Sequence, residues 1–351
     1  MIKKILIANR GEIAIRIART CSKMGMKTVG VFSKEDKNSL HLDYCDENYL
    51  LGEDPLKGSY LNKEKIVKVA LESKANAVHP GYGFLSENYE LANMLEKNNI
   101  SFIGPPAKAI LAMGDKIESR KIAKKAGVNC IPGIDVAVSS SSEAIKYAKK
   151  IGFPVMIKAS AGGGGKGMRI AKSEQGFDAL FSSAQNEANN AFGDDRVFIE
   201  KYIENPRHIE IQILGDKFGN IIYLGERECS VQRRHQKIIE EAPSSFIDNN
   251  IRNAMGKQAI LLAKSVGYYS AGTVEYVVNK NKEFFFLEMN TRLQVEHPVT
   301  EETLGIDIVE EMINIANNKK ISITQNKVKT NGWAFESRLC AESPIKNFLP
   351  S

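Results

Sequence analysis

Toward the N-terminus, apolar positions fall into short runs separated by amphipathic stretches. Lys3 to Ala8, Lys27 to Phe32, Ala75 to Val78 and Ile100 to Ile103 read as strands. Ile13 to Arg19, Lys63 to Glu72 and Tyr89 to Lys97 carry helical spacing between them. Strand, turn (Asn9-Arg10-Gly11-Glu12) and helix in succession open a parallel α/β unit, which predicts a doubly wound sheet. No complete GxGxxG follows the first strand, which disfavours a nicotinamide cofactor. Pro105 to Gly127 reads as a helical connector. Beyond it strands dominate: Phe153 to Ala159, Met168 to Ala171, Val197 to Tyr202, Arg207 to Leu214, Asn220 to Leu224, Thr273 to Val278 and Glu283 to Asn290.

The last two strands flank the turn-forming Asn279-Lys280-Asn281-Lys282 and predict a hairpin. Setting Asn279 opposite Phe284 places Val277 across from Phe286 and Glu275 across from Glu288, with opposed side chains about 5 Å apart. On that register Phe284, Phe286, Glu288 and Asn290 share one face. Two carboxylates that close need a cation, and with Asn290 they form an oxygen-rich set suited to Mg²⁺. The ordinary alternative, a surface hairpin with two solvated acids, fits poorly with the surrounding Phe and Val residues. In Arg207 to Leu214 the three isoleucines occupy one face and His208, Glu210 and Gln212 the other. Such a polar face predicts a solvated sheet edge or, beside a metal hairpin, the wall of a nucleotide site.

Chemistry bearing on phosphate lies upstream. The strand ending in Lys158 runs into Ser160-Ala161-Gly162-Gly163-Gly164-Gly165-Lys166-Gly167 and returns as a second strand. Consecutive glycines let backbone N–H groups turn toward an anion, and Lys158 and Lys166 add charge. Without GK[ST] and a following helix this is no P-loop; it reads as a lid over a triphosphate. Glu226 to Glu241 concentrates basic and amide groups, Gln232 to Lys237 above all, and fits an anion pocket or a solvated charged loop equally well. His79-Pro80-Gly81-Tyr82-Gly83-Phe84-Leu85-Ser86-Glu87 leaves the carboxyl end of a strand, where open α/β sheets bind ligands.

At 351 residues the chain has room for two or three domains, and 43% hydrophobic with 26% charged residues is ordinary globular composition. The net charge of +6 is spread without a basic run or aromatic interleaving, so nucleic-acid binding is not expected. No apolar run suits a membrane span and no signal-peptide pattern opens the chain, so a cytoplasmic protein is expected. Cys21, Cys45, Cys130, Cys229 and Cys340 have no metal-ligand spacing and read as reduced, structural thiols.

Together, Lys158, the Gly162 to Gly165 run, the Gln232 to Lys237 cluster and Glu275, Glu288 and Asn290 resemble the ATP-grasp fold. Whole phrases resemble one branch of it, the biotin carboxylases: Ile7-Ala8-Asn9-Arg10-Gly11-Glu12-Ile13-Ala14, His79 to Asn88, Gln232-Arg233-Arg234-His235-Gln236-Lys237 and Glu288-Met289-Asn290-Thr291-Arg292-Leu293-Gln294-Val295-Glu296-His297-Pro298. The resemblance implies an α/β fold with α+β character toward the C-terminus. Its parts are an N-terminal doubly wound domain (1–104), a helical linker (105–130), a small Gly-loop lid (131–203) and a C-terminal antiparallel-sheet domain (204–351). It implies carboxylation of biotin on a carrier protein from ATP and bicarbonate, through carboxyphosphate. Lys116, Lys158, Glu200, Lys201, Ile203, His208, Gln232 and His235 then correspond to nucleotide contacts, and Gly163, Gly164 and Gly165 close over the phosphates. Glu275, Glu288 and Asn290 correspond to ligands of Mg²⁺ or Mn²⁺, at two sites. Lys237 corresponds to the residue between ATP and bicarbonate, Glu296 to the base, and Arg292, Gln294 and Val295 to the bicarbonate holders. Arg338 matches the arginine that stabilises the biotin enolate, and Tyr82 and Gly83 line the biotin side. For Glu296 a structural ion pair with Arg292 is the competing reading.

Gly332 to Arg338 and Ala341 to Pro344 resemble the biotin carboxylase part of acyl-CoA carboxylase α subunits, such as those serving propionyl-CoA. That implies a biotin carrier and a carboxyltransferase as partners, propionyl- or acetyl-CoA as the final acceptor, and a homodimer or larger complex. Family members continue past Ser351, so the C-terminal domain is expected to be incomplete, with activity and dimerisation in doubt. Another ATP-grasp ligase joining a carboxylate to an amine, or a catalytically inactive ATP-binding fragment, are the alternatives.

Overall fold

The computed structural model describes residues 1–53, 55–161 and 167–350. Strands β1 (Lys4–Ile7), β2 (Lys27–Ser33), β3 (Glu47–Gly52), β4 (Ala77–His79) and β5 (Ser101–Phe102) form a parallel sheet ordered β3-β2-β1-β4-β5. Helices α1 (Gly11–Lys23), α2 (Lys63–Glu72) and α3 (Tyr89–Lys97) connect it. Alternation along β1 explains the double winding: Ile5 and Ile7 join one core with Ile13 and Ile17 of α1, while Leu6 and Ala8 join a second with Ile66, Leu91 and Leu95. The edge strand β3 carries no alternating signal, because its exposed positions are one polar and one apolar residue, Asn48 and Leu50, and only Leu51 is buried.

The connector is two helices, α4 (Ala107–Gly114) and α5 (Lys116–Lys125). Asp115 separates them and caps α5, its Oδ1 accepting from the backbone N–H groups of Ile117 at 2.8 Å and Glu118 at 3.0 Å. Next come α6 (Ser141–Ile151), β6 (Val155–Ala159), β7 (Met168–Ala171), α7 (Phe177–Phe192) and β8 (Val197–Lys201), with the three strands in a small antiparallel sheet ordered β7-β6-β8. Gly162, Gly163, Gly164, Gly165 and Lys166, between β6 and β7, lie outside the described residues.

The C-terminal part comprises β9 (Arg207–Gly215), β10 (Ile221–Arg233), β11 (Gln236–Ala242), α8 (Asn249–Ser265), β12 (Ser270–Val278), β13 (Phe284–Asn290), α9 (His297–Leu304), α10 (Ile308–Ala316) and β14 (Ala334–Ser337). Its strands form an antiparallel sheet ordered β13-β12-β9-β10-β11-β14. Ile209, Ile211 and Ile213 pack with Met255, Ala259 and Leu262 of α8 on one face. The other face is not the solvated edge that is one expectation for His208, Glu210 and Gln212, because β9 is central and Glu210 and Gln212 are fully buried. Nor is Glu226 to Glu241 a solvated loop. β10 continues through it, and Arg234 and His235, both at positive φ (51° and 67°), turn the chain into β11.

In the β12–β13 hairpin Glu275 does face Glu288, but the register slips beyond them, so Val277 faces Phe285 and Tyr276 faces Phe286. The bulge at Leu287 returns Phe284, Phe286 and Met289 to the α8 core and leaves Glu288 and Asn290 toward the opposite side. The predicted shared face of Phe284, Phe286, Glu288 and Asn290 is therefore wrong.

Candidate functional site

The polar face of the six-stranded sheet, the small sheet and the loop after β4 enclose a cleft of about 880 Å³. All the described candidate residues line it: Tyr82, Gly83, Lys116, Lys158, Glu200, Lys201, Ile203, His208, Gln232, His235, Lys237, Glu275, Glu288, Asn290, Arg292, Gln294, Val295, Glu296 and Arg338.

At its floor Lys237 sits in a cage of three carboxylates, with Nζ 2.5 Å from Glu210, 2.9 Å from Glu275 and 2.6 Å from Glu296. Burial opposes its charge, yet the carboxylates outweigh it and hold the ammonium well above the ordinary lysine range. Behind it Arg227, 0% exposed, donates to Glu210 at 2.6 Å and also to Gln212, Thr300 and Thr273 at 2.7, 2.9 and 3.0 Å. On the other side Arg338 donates to Glu296 at 2.8 Å and to Glu240 at 2.6 Å. Charges thus alternate along Arg227, Glu210, Lys237, Glu296, Arg338 and Glu240. Burial works against an ionised Glu296, but Lys237, Arg227 and Arg338 prevail and bring its carboxyl down to about 2.

These contacts replace the Glu296–Arg292 pair considered from sequence. Arg292 instead donates to Glu87 at 3.0 Å, Asn290 Oδ1 at 2.9 Å and Gln294 Oε1 at 2.9 Å. Glu87 also accepts from Thr291 N at 3.0 Å, so the loop after β4 is tied directly to the segment bearing Arg292 and Glu296. Asn9 fixes the same loop at its other end, donating to Pro80 O at 2.8 Å and Tyr82 O at 2.7 Å. Sequence reasoning names no individual role for Glu87, Glu210, Arg227 or Glu240. Glu87 lies within the His79 to Asn88 phrase, Glu210 has a period-2 signal, and Arg227 and Glu240 lie in the charged Glu226 to Glu241 stretch.

On the upper wall Lys158 pairs with Glu200, which Arg120 also contacts at 3.3 Å. Asp115 holds the start of α5 to Ser160 (Oγ at 3.3 Å) and Arg196 (2.9 Å), which places Lys116 over the cleft 3.9 Å from Glu288. Lys201 lines the cleft but donates its ammonium to the carbonyls of Gly152 and Phe153 at 2.9 and 3.0 Å. His208 Nδ1 lies 3.0 Å from Gln232 Nε2 and its Nε2 lies 2.9 Å from a Glu275 carboxylate oxygen. Ile131, Met156, Ile170, Val277 and Leu287 supply an apolar wall nearby.

Glu275 and Glu288 fit a divalent cation. Burial and then Glu275 push the Glu288 carboxyl up, which marks an excess of negative charge between them. For Glu275 burial acts upward, but Lys237 and His208 hold its carboxyl well below the usual range. Asn290 donates its amide to Glu275 at 2.8 Å, and its Oδ1 accepts from Arg292 at 2.9 Å. His208, Glu210 and Glu275 also bring ligand atoms within 4.8 Å of one another, but Arg227 and Lys237 already occupy Glu210.

Comparison with known proteins bears on this cleft. The profile "Biotin carboxylase, N-terminal domain" matches residues 1–110 and "Carbamoyl-phosphate synthase L chain, ATP binding domain" matches 115–324. The propionyl-CoA carboxylase alpha chain of Ruegeria pomeroyi is 57% identical over 351 residues, covering 100% of this chain and 52% of the relative. The mitochondrial human protein of that name is 57% identical over 99% of this chain and 48% of its own length. Biotin carboxylase 1 of Bacillus subtilis is 50% identical, covering 100% of this chain and 78% of its own. The chain thus spans about half the length of the propionyl-CoA carboxylase relatives. Among solved structures, a biotin carboxylase–ATP complex from Campylobacter jejuni superposes with TM-score 0.96 at 49% identity, over 100% of this chain and 78% of that one. The biotin carboxylase domain dimer of Hydrogenobacter thermophilus 2-oxoglutarate carboxylase, with MgADP, ADP and bicarbonate, also gives 0.96, at 48% identity, over 100% and 77%.

Proposed function

The chain belongs to the biotin carboxylase family, and from that premise we propose that it carboxylates biotin on a carrier protein or domain, using ATP and bicarbonate. This is the first half-reaction of an acyl-CoA carboxylase serving propionyl- or acetyl-CoA, with a carboxyltransferase as the further partner. The observation that carries the reading is Glu296, buried between Lys237 and Arg338 at the floor of the cleft.

In the ligand-free cage Glu296 is a weak base, because Lys237 and Arg338 both stabilise its anion. A triphosphate bound by Lys116, Lys158 and the glycine run draws Lys237 toward the phosphates. Glu296 then loses one of its cations, and its proton affinity rises toward what general-base catalysis needs. It takes the proton of bicarbonate as a bicarbonate oxygen bonds to the γ-phosphorus and the bond to ADP breaks. Arg292, Gln294 and the Val295 N–H hold that anion. Carboxyphosphate then splits into CO₂ and phosphate. Phosphate takes the proton from the ureido nitrogen of biotin, and Arg338 stabilises the enolate that attacks CO₂. Glu275, Glu288 and Asn290 would hold Mg²⁺ or Mn²⁺, which offsets phosphate charge when bound. Tyr82 and Gly83, on the loop pinned by Asn9, would flank the ureido ring.

The direct test is ADP release by the 351-residue chain with Mg²⁺, with and without bicarbonate and free biotin. Stimulation by both supports the reading. Stimulation by a carboxylate and an amine instead would reassign the chain to another ATP-grasp ligase, and ATP binding without stimulated turnover would mark it as catalytically silent.

A further inference from the structure

At the far edge of the six-stranded sheet, β11 and β14 pair so that Glu240 and Glu336 stand directly opposite each other. Glu240 is fully buried; Arg338 donates to its Oε1 at 2.6 Å, while its Oε2 is buried without a hydrogen-bond partner. Glu336 Oε2 is likewise buried and unpartnered. A buried carboxylate oxygen without a donor is costly, and two on facing residues have one economical remedy. A proton on one carboxyl would let it donate to the other.

We propose that Glu240 and Glu336 share one proton behind Arg338, and that this proton leaves the guanidinium able to face an anionic substrate in the cleft. The functional half rests on the biotin carboxylase reading; the proton itself does not.

Among the described residues no cation pairs directly with Glu336, and Arg338 and Arg227 lower it only through space. Just past the end of its own strand Arg338 already bonds two carboxylates, Glu240 and Glu296. From β10 Arg227 is turned to Glu210, and from β11 Lys237 is held by Glu210, Glu275 and Glu296. The start of α9 presents Glu296, another anion; farther along, His297 and Glu301 lie on the Arg16 side and Glu302 is exposed. Glu12 of α1 is a further acid near Arg338. Burial, then Glu240, raise the Glu336 carboxyl to about 7, so near neutrality it holds a proton for much of the time. With that proton, Arg338 faces two ionised carboxylates. Without it a third anion binds the guanidinium more tightly into the sheet and repels an incoming anion. Glu336 is thus a positioning residue, acting on substrate through Glu240 and Arg338.

Two measurements on the 351-residue chain test this. Isotope-edited infrared spectroscopy with ¹³C-glutamate should reveal a protonated carboxyl C=O stretch at neutral pH that disappears in Glu336→Gln. Nitrate, a planar monoanion that does not titrate, should bind at Arg338, read from its ¹⁵Nε resonance. Its affinity should weaken on the order of tenfold between about pH 6 and about pH 8 in the parent chain and stay flat in Glu336→Gln. Should Glu336→Gln fail to fold, Glu240→Gln removes the facing charge and must move loss of the band to lower pH. Absence of the band, its persistence in Glu336→Gln, or an unchanged pH dependence of nitrate binding in that variant would overturn the proposal. Neither readout needs ATP or turnover, so a chain that releases no ADP still decides it.

Discussion

Two pairs of glutamates face each other across neighbouring strands of one sheet, Glu275 with Glu288 between β12 and β13, and Glu240 with Glu336 between β11 and β14. The first pair lies beside Lys237, His208, Lys116 and Asn290, and Glu275 is held ionised far below its ordinary range. The second has only Arg338, which Glu296 also claims, and its outer member rises to about 7. Each pair thus has one member pushed up, Glu288 by burial and Glu275, and Glu336 by burial and Glu240; the pairs differ in the other member, since Lys237 and His208 hold Glu275 ionised. Where several cations lie close, as around Glu275, an acid stays ionised; where one cation is shared among several acids, as around Glu336, burial and like charge push the carboxyl up. Glu296 stands between the two regimes, bonded to the lysine of one and the arginine of the other.

Lys237→Met breaks the first regime outright, leaving Glu210, Glu275 and Glu296 buried around a neutral side chain. A loss of about 3–5 kcal/mol in folding stability is expected from denaturant unfolding at neutral pH. Acidification should recover part of it, since protonation relieves the acids that Lys237 had held ionised. In the parent chain the sign is opposite. The stabilisation tied to Glu296, whose carboxyl drops from 4.5 to about 2, is present above pH 4.5 and lost as pH falls through 2.

Glu296→Ala removes the group shared by both regimes. Bicarbonate-dependent ADP release should fall by about 10²- to 10⁴-fold, while ATP affinity stays near that of the parent chain. Retained turnover would sink the assignment of the base.

Glu288→Gln tests the metal half of the comparison. Removing one of two opposed charges should raise stability without metal by roughly 0.2–1 kcal/mol. The gain in melting temperature on adding MgADP should shrink. An unchanged MgADP response would place the ion elsewhere.

The smallest effect belongs to Glu336→Gln. A carboxyl raised from 4.5 to about 7 makes the native state bind more protons than the unfolded one across that window, so stability falls as pH rises through it. The glutamine variant should lack this slope. Because Glu336 is partly exposed, the difference will be modest, visible as a shallow divergence of melting temperatures.

What could be read from the sequence was local. The Lys63 to Glu72 and Tyr89 to Lys97 periodicities match helices α2 and α3, and the turn-rich tetrapeptide marks the hairpin, but the register expected beside the turn is one residue off and Glu275 meets Glu288 only through the bulge. The bulge at Leu287 has no local signature, because the register is decided by packing of Phe284, Phe286 and Met289 on α8. Edge strand β3 was invisible for another reason, since its apolar Tyr49, Leu50 and Leu51 are consecutive and do not alternate with burial. Cleft residues carried by contiguous phrases were identifiable through resemblance, but their partners were not. Lys237 reaches Glu296 across 59 positions and Arg338 reaches Glu240 across 98, distances over which only the folded sheet brings charges together.

The central claim, that the cleft joins bicarbonate to the γ-phosphate of ATP, is tested most directly by following oxygen. With ¹⁸O-labelled bicarbonate, ATP, Mg²⁺ and biotin, attack by a bicarbonate oxygen on phosphorus predicts that one labelled oxygen ends in each phosphate released. Phosphate carrying only solvent oxygen would mean that water cleaves the ATP, and would contradict the proposed roles of Glu296, Arg292 and Lys237.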